Sequence, residues 1–221
     1  SYYYFPDLSA GSFRIKSIVD SLSKSNIKKL EIDIVTTEPN RYRDFRPLIK
    51  EKNLDLVNIN RVKVSNHKSG LISQSIAFII YSINTLRFVK NKKYDLVFAT
   101  SSRLMTGALG AVIASRKKTK LYLDIRDIFY DTINDVYKSK IFIFIKLIVR
   151  FIESYTLKKA NHINLVSEGF ESYFKKNYPF KNYSYFTNGI DSVFDNFPIT
   201  QTSNEKIRIL YAGNIGDGQG L

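Results

Sequence analysis

Cysteine and tryptophan are absent from this chain, methionine occurs once and histidine twice. The missing cysteine removes disulfides, thiolate metal ligands and cysteine nucleophiles together. Two histidines, His67 and His162, are too few and too separated to build a metal site. Both read as structural or solvated. No unbroken run reaches the roughly 18 apolar residues of a membrane span. The best stretch, Ile141 to Ile152, is interrupted by Lys146 and Arg150. The chain opens on Ser1-Tyr2-Tyr3-Tyr4-Phe5-Pro6, with neither a basic nor an apolar leader, so no secretory signal is expected. Internal repeats and low-complexity tracts are also absent.

What is present is charge of one sign. Across 221 residues, 34 Lys and Arg oppose 20 Asp and Glu, a net +14. Such a surface favours phosphorylated ligands, acidic lipid headgroups or nucleic acid. Hydrophobic residues make up 44% of the chain, which supports a sizeable core and excludes a disordered polymer. The length fits one large domain, or one domain and a fragment. The expected location is the cytoplasm, with peripheral contact to the inner face of the cell membrane.

Short β-branched and aromatic runs alternate with helical periods. Strands are predicted over 31–37, 55–59, 94–100, 120–125, 162–166, 183–186 and 207–211. Helices are predicted over 12–23, 71–89, 103–115, 139–159 and 168–176. The alternation predicts an α/β fold, a Rossmann-like, mostly parallel sheet flanked by helices. Residues 2–5 supply only the remnant of a first strand. Residues 1–190 read as one domain, 191–205 as a linker, and 206–221 as the start of a second domain that is cut off. The helices over 71–89 and 141–153 are so apolar that burial on nearly all sides is the simpler expectation, with contact to a lipid interface as the alternative. The basic run Arg116-Lys117-Lys118 reads as a solvated helix end favourable to the dipole.

Ligands of such sheets sit beyond the carboxyl ends of the strands, so the loops there hold the candidate sites. In Pro6-Asp7-Leu-Ser-Ala-Gly11-Ser12-Phe-Arg14, Gly11 permits close approach of a ligand. Ser12 suits an N-cap, and the helix behind it favours an anion. An ordinary capped turn is the plain alternative. In Asp124-Ile-Arg126-Asp127, Asp127 can act as a base or hold a hydroxyl and Arg126 can clamp a phosphate. An ion pair closing the sheet end explains the same residues. Thr187-Asn188-Gly189-Ile-Asp191 carries a strong turn dipeptide. The glycines of Ala212-Gly213-Asn214-Ile-Gly216-Asp-Gly-Gln-Gly220 can expose N–H groups to a phosphate. Their spacing is neither a Walker loop nor the dinucleotide G-x-G-x-x-G.

Taken in order, Tyr4-Phe-Pro-Asp7 with Gly11, Leu123-Asp-Ile-Arg-Asp127, Asn164-Leu-Val-Ser167, Phe186-Thr-Asn-Gly-Ile-Asp191 and Leu210-Tyr-Ala-Gly-Asn-Ile-Gly216 resemble a glycosyltransferase family 4 enzyme of the GT-B fold. The subgroup most similar adds amino sugars in bacterial O-antigen or capsule synthesis. The resemblance covers almost the whole chain, as the acceptor-side N-terminal domain plus the first strand and loop of the donor-side domain, which is otherwise missing. It implies a nucleotide-diphosphate sugar as substrate, a lipid-linked saccharide acceptor, retention of configuration, no cofactor and no required metal. Gly11, Ser12, Gly213, Asn214 and Gly216 would then meet the donor phosphates. Asp127 and Arg126 would be catalytic, with Arg126 standing where the family often has histidine. Asp7, Arg14, Asn188, Gly189 and Asp191 would lie on the acceptor or hinge side. The fragment alone is expected to be inactive.

Other classes compete with this reading. A basic nucleic-acid-binding α/β protein fits the charge, but the aromatics fall on strands and apolar helices, and no stacking motif or zinc finger is visible. No nucleic-acid partner is therefore expected. A nicotinamide-dependent dehydrogenase needs G-x-G-x-x-G where Pro6-Asp-Leu-Ser-Ala-Gly11 stands. A non-catalytic Rossmann-like fragment is the remaining alternative.

Overall fold

The computed structural model describes residues 1–42, 56–64, 71–101, 104–128, 143–190 and 210–211. The described elements run α1 (Ala10–Ser23), β1 (Ile32–Thr37), β2 (Val57–Val62), α2 (Leu71–Val89), β3 (Leu96–Thr100), α3 (Leu104–Lys117), β4 (Lys120–Ile125), α4 (Ile143–Lys159), β5 (His162–Leu165), a 3₁₀ turn (Glu168–Phe170), α5 (Glu171–Asn177) and β6 (Asn182–Tyr185). The α/β class predicted from the alternation of periods is the class observed. All described strand pairs are parallel, in two sheets: β1-β2, and β3-β4-β5-β6. The linker, the strand expected over 207–211 apart from its last two residues, and His67 lie outside the described residues.

Strand period decides which residue faces where. In β4, Leu121, Leu123 and Ile125 point to one face, with Ala99, Ile163 and Leu165 beside them. There they pack against Ala111 and Ala114 of α3, Leu157 of α4 and Phe174 of α5. The intervening Tyr122 and Asp124 point to the opposite face. On that face Phe98, Tyr122 and His162 stack across three strands, with ring centroids 5.4 and 4.8 Å apart. His162 also meets Ser184 Oγ at 2.9 Å, so its role is structural, as expected.

Around β1 the same alternation sorts two further clusters. Ile34 packs with Tyr4 and with Ile15 and Val19 of α1. Val35 joins Tyr2, Tyr3, Val62, Ala77 and Tyr81, on the α2 side. The helices α2 and α3 meet at their ends, where Lys117 Nζ donates to the carbonyls of Lys90 and Lys92 at 2.6 and 2.7 Å. The basic run expected to be a solvated helix end thus fastens two helices. Lys118 follows with φ 53°, the left-handed position that ends α3.

The apolar helices are not buried on nearly all sides. Along α2, Ala77, Tyr81, Thr85 and Val89 form the buried stripe, while Ile72, Ile76, Ile79 and Ile83 are exposed. Leu147, Ile148 and Phe151 of α4 are exposed as well. Among the described residues, one helix window, Ile72–Val89, is long and apolar enough to cross a membrane, and only 22% of it is buried.

Residues 2–5 form no ladder strand of their own. Ser1 and Tyr2 are nevertheless fastened to β1: the Ser1 amine donates to the Val35 carbonyl at 3.3 Å, and the Thr37 N–H to the Tyr2 carbonyl at 3.1 Å.

Candidate functional site

The site is built at the carboxyl ends of β3, β4 and β5. The sequence puts a polar residue at the last inward position of each: Thr100, Asp124 and Asn164 share one row of the sheet, continued by Ser184 of β6. All three strand-tip residues are buried. Each must therefore find hydrogen bonds. Asp124 accepts from Thr100 Oγ1 at 3.2 Å and from Asn164 Nδ2 at 2.8 Å. Asn164 Oδ1 in turn accepts from the Phe186 N–H and the Ser184 hydroxyl, at 2.9 and 3.0 Å.

Into this row comes Arg14, from the first turns of α1. Its Nε and Nη2 grip the Asp124 carboxylate side-on at 3.0 and 2.9 Å. The remaining donors reach Phe186 O at 2.8 Å, Thr187 O at 2.9 Å and Asn188 Oδ1 at 3.4 Å. Five N–H groups exist on a guanidinium, and five hydrogen bonds are made. Arg14 therefore acts as a strut that fixes α1, β4 and the segment after β6 relative to one another. It has no donor left for an acceptor substrate.

The ordinary-ion-pair reading of residues 124–127 is thus correct for Asp124, although its partner is Arg14 rather than Arg126. That leaves Arg126. Its N–H donates to Ser101 Oγ at 3.2 Å, while its side chain is half-buried and its Nε has no partner. Burial lowers its pKa from the ordinary value; Asp124 and Asp127 oppose this and Arg14 adds to it. Ser12 Oγ is a second orphan, fully buried and without a hydrogen bond. Ser12 lies two residues before Arg14, and Arg126 two residues after Asp124.

Ser12 is not the N-cap. The helix starts earlier, at Ala10, and Ser9 caps it by accepting from the Ser12 N–H at 3.1 Å. Gly11 lies buried in that first turn. Asp7 is buried too, and its carboxylate accepts from the N–H groups of Asn40 and Arg41 at 3.2 and 2.9 Å. Burial pushes its pKa up against those two bonds. It holds the turn after β1 and stands apart from the strut.

Asp127 takes the other side. It lines a cavity of about 10 Å³ with Ser101, Leu104, Ile125, Glu153, Thr156, Leu157 and Phe174, on the face of α3 and α4. Its rim is exposed to solvent. The protein beneath still pushes the carboxyl upward by desolvation, against the pull of Arg126. Asn188 and Gly189 are exposed, and a Cβ at Gly189 would touch nothing within 4 Å. Asp191, Gly213, Asn214 and Gly216 lie outside the described residues.

The structure brings Arg14 and Asn188 together, with the Arg126 charge facing Asp124 and Arg14; Gly11 and Ser12 are buried in the first turn of α1, and Asp127 lies on the face of α3 and α4. The anchors that sequence reasoning left out of the site were Asp124 and Asn164. The available signal was a polar residue at an otherwise apolar strand end, in Leu123-Asp124-Ile125 and Ile163-Asn164-Leu165. No family model matches this chain, and no curated protein matches it.

Proposed function

We propose that this chain is the acceptor-side part of a retaining, metal-independent glycosyltransferase. It would move a sugar from a nucleotide-diphosphate sugar to a lipid-linked saccharide in bacterial surface polysaccharide synthesis, at the cytoplasmic face of the membrane. The observation that carries this reading is the Arg14 strut. Two of the segments that resemble the glycosyltransferase family, Leu123–Asp127 and Phe186–Asp191, far apart in the chain, meet through this one side chain at the carboxyl ends of a parallel sheet.

The chemistry supports the same reading. A leaving nucleoside diphosphate develops charge, and protein donors must stabilise it where no metal does so. The first turn of α1 offers backbone N–H groups and Arg126 a guanidinium with an unused N–H. Asp127, exposed and with its carboxyl pKa pushed upward, would accept the proton of an acceptor hydroxyl or hold it. The exposed isoleucines of α2 and the net +14 suit an anionic membrane that carries the acceptor.

Cosedimentation tests this with the chain itself. Neutral vesicles carrying a polyprenyl-diphosphate saccharide are compared with the same vesicles lacking it. The expected result is extra binding to the acceptor-bearing vesicles. Equal binding to both, or a steep salt-dependent preference for random DNA, overturns the proposal.

A further inference from the structure

A cavity of about 110 Å³ lies among Val35 of β1, Phe98 of β3, Val89 of α2, and Leu109 and Ile113 of α3. No residue of the Arg14 strut lines it. Apolar cavities of about 150 Å³ stay dry and take up benzene, so this one is of the size class that holds a single six-membered ring.

Most polar side chains of its wall are already taken. Tyr81 donates to the Val35 carbonyl at 3.0 Å, Thr85 to the Tyr81 carbonyl at 2.8 Å, and Tyr94 to Asp33 at 2.8 Å. Thr106, near the start of α3, differs. It lines the cavity, is 4% exposed, and its Oγ1 has no hydrogen-bond partner. A buried hydroxyl left in that state is unfavourable. One orphan does not hold a water, which needs about two to four polar partners. It suits a ligand that brings one hydroxyl of its own.

Phe98 supplies the second feature. Its ring stacks on Tyr122 of β4 at 5.4 Å and 15°, and Tyr122 stacks on His162 of β5 at 4.8 Å. Of these three rings, Phe98 alone lines the cavity, so it ends the stack on that side. A flat ring entering the cavity meets an aromatic surface, which favours another ring in an offset or edge-on arrangement.

We propose that this cavity binds a single-ring, phenol-type molecule, its ring against Phe98 and its hydroxyl bonded to Thr106 Oγ1. The ligand is neutral, because the wall is mainly aliphatic and a charge brought there would leave its water.

Titration of the chain with phenol, benzene and cyclohexanol, followed by amide NMR shifts, tests this. Saturable phenol binding in the low millimolar range is expected, with shifts centred on residues 97–99 and 106–113. Benzene and cyclohexanol should each bind at least about fivefold more weakly. Thr106→Val removes the hydroxyl at nearly constant shape; it should bring phenol down to the benzene value and leave benzene unchanged. Phenol binding that does not saturate overturns the idea, as does phenol no tighter than benzene, cyclohexanol as tight as phenol, or undiminished phenol binding in Thr106→Val. Shifts centred on the exposed isoleucines of α2 mark nonspecific apolar association and overturn it too. Should Thr106→Val fail to fold, the three-ligand comparison in the parent chain decides.

Discussion

Arg14 and Asp124 are 110 positions apart and meet in a side-on, two-point ion pair that is almost wholly out of solvent. Removing one member of such a pair leaves the other charge buried without its partner, which costs about 3–5 kcal/mol. Arg14→Ala should therefore unfold at much lower urea than the parent. Arg14→Met combined with Asp124→Leu should lose less than the sum of the two single changes, because the residues couple directly. A simple sum in the double-mutant cycle would show that the pair does not act as a unit.

Gly110 and Gly189 make a matched test of packing. A Cβ at Gly110 would sit 2.5 Å from the Ala99 Cβ, whereas one at Gly189 would meet nothing. Gly110→Ala should force α3 away from β3 and destabilise by about 1–3 kcal/mol. Gly189→Ala should stay within about 0.5 kcal/mol of the parent. Thermal unfolding of both variants checks the contrast.

Asp33 gives a pH signature. Burial alone would raise its pKa, but hydrogen bonds from Lys92, Tyr94 and Asn58 outweigh that and hold it below the ordinary carboxylate range. A carboxyl whose folded pKa is depressed adds stability above its unfolded value, about 3.9, and that stability is lost as pH falls through the folded value. Asp33→Asn should thus weaken the fold most near neutrality, with the gap to the parent closing as pH falls below the unfolded value and through the depressed folded one. Urea midpoints measured from pH 7 downward decide it.

Asp127 should separate stability from activity. It is solvent-exposed at its rim, so Asp127→Asn is expected to change stability by no more than about 0.5 kcal/mol. In a form of the protein that transfers sugar, the same change should abolish transfer. Full activity in Asp127→Asn would move the catalytic role to another residue.

The exposed stripe of α2 predicts lipid binding. Flotation with acidic vesicles should exceed that with neutral ones, since a basic residue near such a surface contributes about 1 kcal/mol. Ile76→Glu with Ile79→Glu should abolish flotation and leave the thermal midpoint nearly unchanged, both side chains being exposed.

Much of the fold was legible because period reports burial. The limits of α2 and β4 fall where the apolar pattern starts and stops, and α1 and α3 differ from expectation by two residues or fewer at each end. The stretch over 168–176 was harder. It breaks into a 3₁₀ turn, capped by Ser167, followed by α5, and no simple period separates the two. The site was less legible for a different reason. Sequence shows which residues are polar at strand ends, not which of them consume one another. Arg14 looked like a substrate contact until its five donors were counted, and Ser12 looked like a cap that Ser9 supplies. Burial of α2 and α4 was overestimated because an apolar helix reads alike whether its outer stripe meets protein or not.

The row of side chains from Arg14 through Asp124, Asn164 and Ser184 to His162 ties the first helix of the chain to its last described strand. Such a ladder makes opening events travel: if β6 peels from β5, Asn164 loses Ser184 and the Phe186 N–H, and Arg14 loses its carbonyl partners. Segments 172 positions apart along the backbone should then breathe as one cooperative unit, while α2, held by its inner stripe and by Lys117 at its end, opens on its own schedule.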